Sequence, residues 1–199
     1  MTIRIEGALA VLLLALLTLA SCGLFEPRNP KPGGGTIVPC VTPNSPEDVI
    51  TNIVDHYASD AGITCYTSML DASFVFHPDP GDSNEALPDT VYVGWNRDVE
   101  TRVDQNLAAN ATFHQAVFDS EYAARVVSAD GHTQIRFYAY HLRIRAPQSA
   151  DTLYQGRADL TLFQGTDTQW RITDWADKRD GSGLRSWGYL RRLYRPAGT

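Results

Sequence analysis

The stretch from residue 112 to residue 176 constrains the fold more than any other part of the chain. Side-chain character alternates there with the period of two that marks β-strand, and turn sequences punctuate it. Five strands are read: TFHQAVF (112–118), YAARVVSA (122–129), TQIRFYAYHLRIRA (133–146), TLYQGRADLTLFQ (152–164) and QWRITDWA (169–176). ADGH (129–132) and QGTDT (164–168) are the turns. The two longest runs pass about 12 residues, beyond the usual 3–10. Strands of that length predict a strongly curved sheet, with Gly156 as a bend point.

Helices come earlier. SPED reads as a helix start, with Ser45 as N-cap, Pro46 in the first turn and Glu47 and Asp48 near the positive dipole end. Val49, Ile50, Ile53, Val54 and Tyr57 give one apolar stripe, so a helix is predicted to about Ser59. A short helix follows over about 62–70, then a strand SFVFH (73–77) and a loop HPDPGDSNEALPDT. Asn96 caps a third helix with Val99, Val103 and Leu107 on one face. Helices gathered early and strands late read as α+β. The expected architecture is a cone: a strongly curved antiparallel sheet wrapped around about three helices.

This order, with LYQGRADLTLF, QWRITDWAD and SWGYLRRLY, resembles the nuclear-transport-factor-2-like superfamily, also called SnoaL-like or ketosteroid-isomerase-like. More narrowly it resembles the small bacterial lipoproteins of that group. The resemblance runs from about Ser45 to Tyr194, and Trp170 and Trp175 around Ile172 are its most characteristic piece. It implies one cone-fold domain over 45–195, with a pocket between helices and the concave sheet face. The superfamily holds isomerases, dehydratases, epoxide hydrolases, cyclases and non-catalytic binders, so the fold alone assigns no chemistry.

The amino terminus addresses a different question, that of location. Ala8 to Ala20, ALAVLLLALLTLA, is apolar apart from Thr18. That is shorter than the roughly 20 residues a spanning helix needs, and within the roughly 7–15 of an export-signal core. It ends in Leu19-Ala20-Ser21-Cys22, which resembles the lipobox of bacterial lipoproteins. The resemblance implies cleavage after residue 21 and acylation of Cys22 by palmitate-type chains, and two or three such chains anchor firmly. An ordinary signal peptide with a chance cysteine is the alternative. Gly23 follows where an Asp would resemble an inner-membrane retention signal. The expected location is therefore the bacterial cell envelope, on the outer membrane facing the periplasm. Residues 22–44 hold Pro27, Pro30, Pro32, Pro39 and Pro43 and the run Gly33–Gly35, the composition of a tether.

With Cys22 acylated, Cys40 and Cys65 remain. An oxidising compartment permits a bridge between them; two isolated thiols are the other option, because spacing supplies no geometry.

The chain is 43% hydrophobic and 20% charged, which excludes a disordered protein. A formal net charge of −6 argues against a nucleic-acid binder, whose affinity rests on Lys and Arg. The sequence has no nucleotide-binding glycine pattern and no HxxxH-type metal spacing, so no cofactor and no metal is expected.

Tyr57, Tyr66, Phe74, Phe76, Tyr92, Trp95, Tyr138, Tyr140 and Trp175 could line a cavity with rings and polar tips, or simply fill the core. An enzymatic reading pairs a base, Asp79 or His77, with a donor, Tyr138 or Tyr140. Asp82, His56, His114 and His141 are further titratable groups. Alternation puts Phe137, Ala139 and His141 on one face of their strand and Tyr138, Tyr140 and Leu142 on the other, without saying which is concave. SWGYLRRLYR reads as an amphipathic helix with Trp187, Leu190 and Tyr194 on one face and Arg191, Arg192 and Arg195 on or beside the other. That helix either docks on the domain or touches anionic lipid. The expected function is a membrane-anchored, non-catalytic binding domain for a small apolar ligand or an envelope protein. The alternative is an isomerase- or dehydratase-type enzyme. A homodimer through the outer sheet face is a further expectation.

Overall fold

The computed structural model describes residues 39–196, apart from 59–62, 85–88, 112, 123–124 and 147. The expected export signal, Cys22 and the tether up to residue 38 lie outside the described residues. The elements run α1 (Pro46–Ala58), α2 (Ile63–Ser68), β1 (Leu70–His77), α3 (Pro80–Asn84), a 3-10 turn (Asp89–Tyr92), α4 (Arg97–Asn110), β2 (Phe113–Glu121), β3 (Val126–Val127), β4 (Thr133–Arg145), β5 (Thr152–Gln164), β6 (Trp170–Lys178) and α5 (Trp187–Tyr194).

Local chemistry sets the helix starts. Ser45 Oγ accepts from the Asp48 N–H at 3.2 Å while Asp48 Oδ2 accepts from the Ser45 N–H at 2.9 Å, a reciprocal cap on α1. Asn96 accepts from the N–H groups of Asp98 and Val99, both at 3.1 Å, and caps α4. The stretch HPDPGDSNEALPDT, read as loop, contains α3 and the start of the 3-10 turn. There the Asp79 carboxylate accepts from the Gly81 N–H at 2.7 Å and closes the first turn.

The strands form one sheet in the order β1-β6-β5-β4-β2, with β3 also on β4. All pairings are antiparallel except β1 with β6, which is parallel. Among the described residues of the expected strand YAARVVSA, Val126 and Val127 form β3. β2 already pairs with β4 from Arg145 to Tyr138, and β3 pairs beyond it with Ile135 and Gln134. Register shifts interrupt β2 after Phe118 and the β5–β6 pair after Thr161. Such bulges increase local twist. The result is an α+β cone: a curved, unclosed sheet around the helices.

Burial assigns the faces. On β4, Arg136, Tyr138, Tyr140, Leu142 and Ile144 point inward and are buried, so His141 points outward, where it meets Asp119 at 2.7 Å. The buried set on β5 is Tyr154, Gly156, Ala158, Leu160 and Leu162. Near the start of the described chain, Cys40 and Cys65 form a disulfide with Cα atoms 5.3 Å apart. The backbone beside it is held by Asn52, which bonds both the N–H and the carbonyl of Val41, and by the Trp170 N–H donating to the Pro43 carbonyl at 2.7 Å.

Candidate functional site

The interior of the cone is where a site would be, and among the described residues it is packed with side chains. Tyr57, Tyr66, Phe74, Phe76, Trp95, Tyr140 and Trp175 are each at most 2% exposed, and Tyr138 is 8% exposed. Tyr92 packs against this core, stacked on Trp95 with centroids 5.6 Å apart, and its hydroxyl donates to the Gly188 carbonyl at 2.8 Å. All nine aromatic candidates therefore pack on one another or on the core.

The filling comes from α5. Ser186 caps it, and Trp187, Gly188, Leu190 and Arg191 are its buried residues. The Trp187 ring meets Trp175 at 4.8 Å, Tyr57 at 5.0 Å and Tyr140 at 5.3 Å between centroids. Two buried carboxylates hold the amino end of α5. Asp177 accepts from the Gly188 N–H at 2.6 Å and from the Tyr140 hydroxyl at 2.7 Å. Asp82 accepts from the Ser186 hydroxyl and, at 2.7 Å, from Arg179 Nη2. Carboxylates suit the positive end of a helix. A Cβ at Gly188 would lie 3.0 Å from Asp177 Oδ2 and 3.3 Å from Asp82 Oδ2, so glycine lets both approach. Burial pushes the Asp177 carboxyl up to about 6, against the opposing pull of the Tyr140 hydrogen bond.

Arg191 reaches deepest. Its Cζ lies 4.2 Å from the centre of Trp175 and 4.3 Å from that of Phe76. Its Nε donates to Glu100 Oε1 at 2.7 Å and its Nη2 to the Tyr66 hydroxyl at 3.0 Å. The Tyr66 hydroxyl donates to the same Glu100 oxygen, and Trp95 Nε1 donates to the other, each at 2.7 Å. Burial works against the guanidinium charge, but Glu100 leads the groups that together hold its pKa above the ordinary value. Burial first, and Glu100 next, keeps the Tyr66 phenol protonated. Beside this cluster, buried His56 Nε2 meets Asp104 Oδ1 at 2.9 Å, and the Tyr57 hydroxyl reaches that oxygen at 3.3 Å. Among the described residues, Asp104 Oδ2 and Arg191 Nη1 have no hydrogen-bond partner. Both residues line a cavity of about 10 Å³ between α4 and α5. That is room for one water at most.

The enzymatic candidates occupy different environments. His77 is exposed on the outer face, 3.4 Å from Asp174. Asp79 accepts from the backbone N–H groups of Gly81 and Arg179. Tyr140 is committed to Asp177 and to the Trp187 N–H at 2.7 Å. Tyr138 faces inward near Arg136, with burial raising its pKa. The structure brings Tyr138 and Tyr140 to one face and leaves His77 on the other. Among the described residues no group of three His, Cys, Asp or Glu side chains is placed to hold a metal ion.

Sequence reading missed Glu100, Asp104, Asp177 and the inward turn of Arg191. A signal existed for three of them. Glu100, Val103, Asp104 and Leu107 fall at i, i+3, i+4 and i+7, as do Trp187, Leu190, Arg191 and Tyr194. Each charge thus shares the buried stripe of its helix.

No family model and no curated protein sequence matches the chain. Solved structures do. A protein of Novosphingobium aromaticivorans, provisionally named an aromatic ring hydroxylase, aligns with a TM-score of 0.52 at 12% identity, over 72% of this chain and 92% of its own. A second protein of that organism, provisionally named a scytalone dehydratase, aligns at 0.51 and 9% identity, over 71% and 90%. The chain has the nuclear-transport-factor-2-like cone fold. A Kribbella flavida protein aligns with this cone fold at 0.51 and 10% identity, over 73% and 93%. At such identities the likeness is one of fold.

Proposed function

We propose that this is a bacterial lipoprotein, held on the envelope by acyl chains on Cys22, whose cone-fold domain binds an envelope protein and performs no chemistry. The filled interior carries the reading: Trp187, Leu190 and Arg191 of α5 occupy the space in which a small ligand would sit. Among the described residues, the cavity beside α5 measures about 10 Å³, too small for an apolar ligand of the size of a substrate. Recognition then falls to the surface. The outer sheet face offers Val75, Val117, Leu153 and Phe163, each about 40% exposed. A second copy of the chain and an unrelated envelope protein are the candidate partners.

The test has two arms. Cys22→Ala should move the protein from the membrane to the soluble fraction and abolish palmitate labelling; unchanged fractionation overturns the anchor. A photo-crosslinking residue at Phe163 should give a discrete protein adduct in cells, absent when the residue is placed at buried Leu162. No adduct overturns the docking face.

The second reading is an isomerase- or dehydratase-type enzyme. The buried His56–Asp104 pair, with one carboxylate oxygen unpartnered, favours it. Substrate entry would require α5 to leave its seat. Turnover of a cyclic ketone or epoxide, abolished in Asp104→Asn, would replace the binding reading.

A further inference from the structure

We propose that the inner wall of the cone is an organic-cation site, built by Tyr66, Phe76, Trp95, Glu100 and Trp175, which the chain fills in cis with the guanidinium of Arg191. The inference concerns the interior alone and stands apart from the anchor and the docking face.

The wall has the parts that recognise an organic cation: a carboxylate, a hydroxyl and aromatic faces, all buried. The guanidinium carbon lies 4.2 Å from the Trp175 centroid and 4.3 Å from the Phe76 centroid. Glu100 is 1% exposed and is aimed before Arg191 is counted. Trp95 Nε1 donates to its Oε2 and the Tyr66 hydroxyl to its Oε1, each at 2.7 Å. A buried carboxylate held in this way keeps its geometry, and the cation-binding groups are preorganised.

Most of the wall is independent of its occupant. Tyr66 comes from α2, Phe76 from β1, Glu100 from α4 and Trp175 from β6, while Trp95 directly precedes the cap of α4. One further ring comes from α5 itself: Trp187, with its centroid 5.2 Å from the guanidinium carbon. Among the described residues, Arg191 Nη1 has no hydrogen-bond partner. A guanidinium delivered on a helix takes the position its backbone allows, whereas a free one can adjust. The ligand class is therefore a monoalkylguanidinium or a small alkylammonium. Glu100 repels carboxylates, and a neutral amide forms no ion pair with it.

The experiment uses the full chain with Arg191→Ala and ethylguanidinium, which restores the atoms removed beyond Cβ. N-ethylurea is the neutral control of the same shape. Saturable quenching of tryptophan fluorescence is expected with ethylguanidinium, with a dissociation constant of about 1 mM. At about 10 mM, Tm should rise by about 4 °C. N-ethylurea should do neither, and adding Glu100→Gln should abolish the response. Absence of saturable binding in folded Arg191→Ala overturns the proposal, as does an equal response to N-ethylurea. If Arg191→Ala fails to fold, recovery of near-ultraviolet circular dichroism becomes the readout. Recovery with ethylguanidinium supports the site, and no recovery overturns it.

Discussion

Tyr140 lies across Gly156, its partner in the β4–β5 ladder. A Cβ on Gly156 would stand 2.5 Å from the Tyr140 hydroxyl oxygen and 2.6 Å from the Lys178 carbonyl oxygen. The glycine that sequence reading marks as a bend point thus admits a ring, and that ring carries the hydroxyl joining Asp177 to the start of α5.

Gly156→Ala should therefore be destabilising out of proportion to one methyl group. Displacing the hydroxyl breaks two buried hydrogen bonds and overpacks the strand pair. A loss of about 2 kcal/mol is expected in urea denaturation. A change below about 0.5 kcal/mol would show that the ring moves aside freely.

Asp177 gives a pH prediction with an unusual sign. Its folded-state pKa is about 6, above the ordinary carboxyl value of 3.8. Between those values the folded chain binds more protons, so this group contributes stability at low pH that is lost as pH rises through about 6. The contribution is on the order of 3 kcal/mol. Glu47, Asp71 and Asp180 have lowered values and act oppositely, with stability present above the ordinary value and lost on acidification. The measurement is thus the difference between the parent and Asp177→Asn from pH 4 to 7. Relative to the variant, the parent should lose stability as pH rises.

Glu100 and Arg191 form an ion pair with both side chains 2% exposed. Removing one charge leaves the other buried and uncompensated. Glu100→Gln should cost about 3–5 kcal/mol. Arg191→Met combined with Glu100→Gln should recover much of that loss, and a strictly additive double variant would mean the pair is not coupled.

The Cys40–Cys65 disulfide closes a segment with a sequence separation of 25. Cross-linking over that length restricts the unfolded chain by about 3 kcal/mol. Thermal unfolding in a reductant should occur at a correspondingly lower temperature, and Cys65→Ala should make it insensitive to reductant.

Much of the fold was legible in the sequence. Caps at Ser45 and Asn96 act within three residues, and strand alternation acts over two. Such local signals survive in a linear reading, and with the long strands they determine an α+β curved sheet. The pairing of β3 was not legible, because it joins β4 beyond the stretch that β2 pairs. The faces of β4 were not either: a period of two is the same read from either side. Only the curvature of the assembled sheet turned Tyr138 and Tyr140 inward and His141 outward.

The site divides in the same way. The aromatic residues announce a core, since rings carry most burial. What the core does was decided by tertiary structure. Arg191 reads as one of several surface arginines until Glu100, 91 positions earlier, meets it. A charge is buried only where a distant partner offsets its desolvation, and sequence spacing holds no record of that partner. The sequence by itself determined the sheet, the caps and the apolar stripes. The filling of the cone by α5 was settled by long-range packing and paired charge.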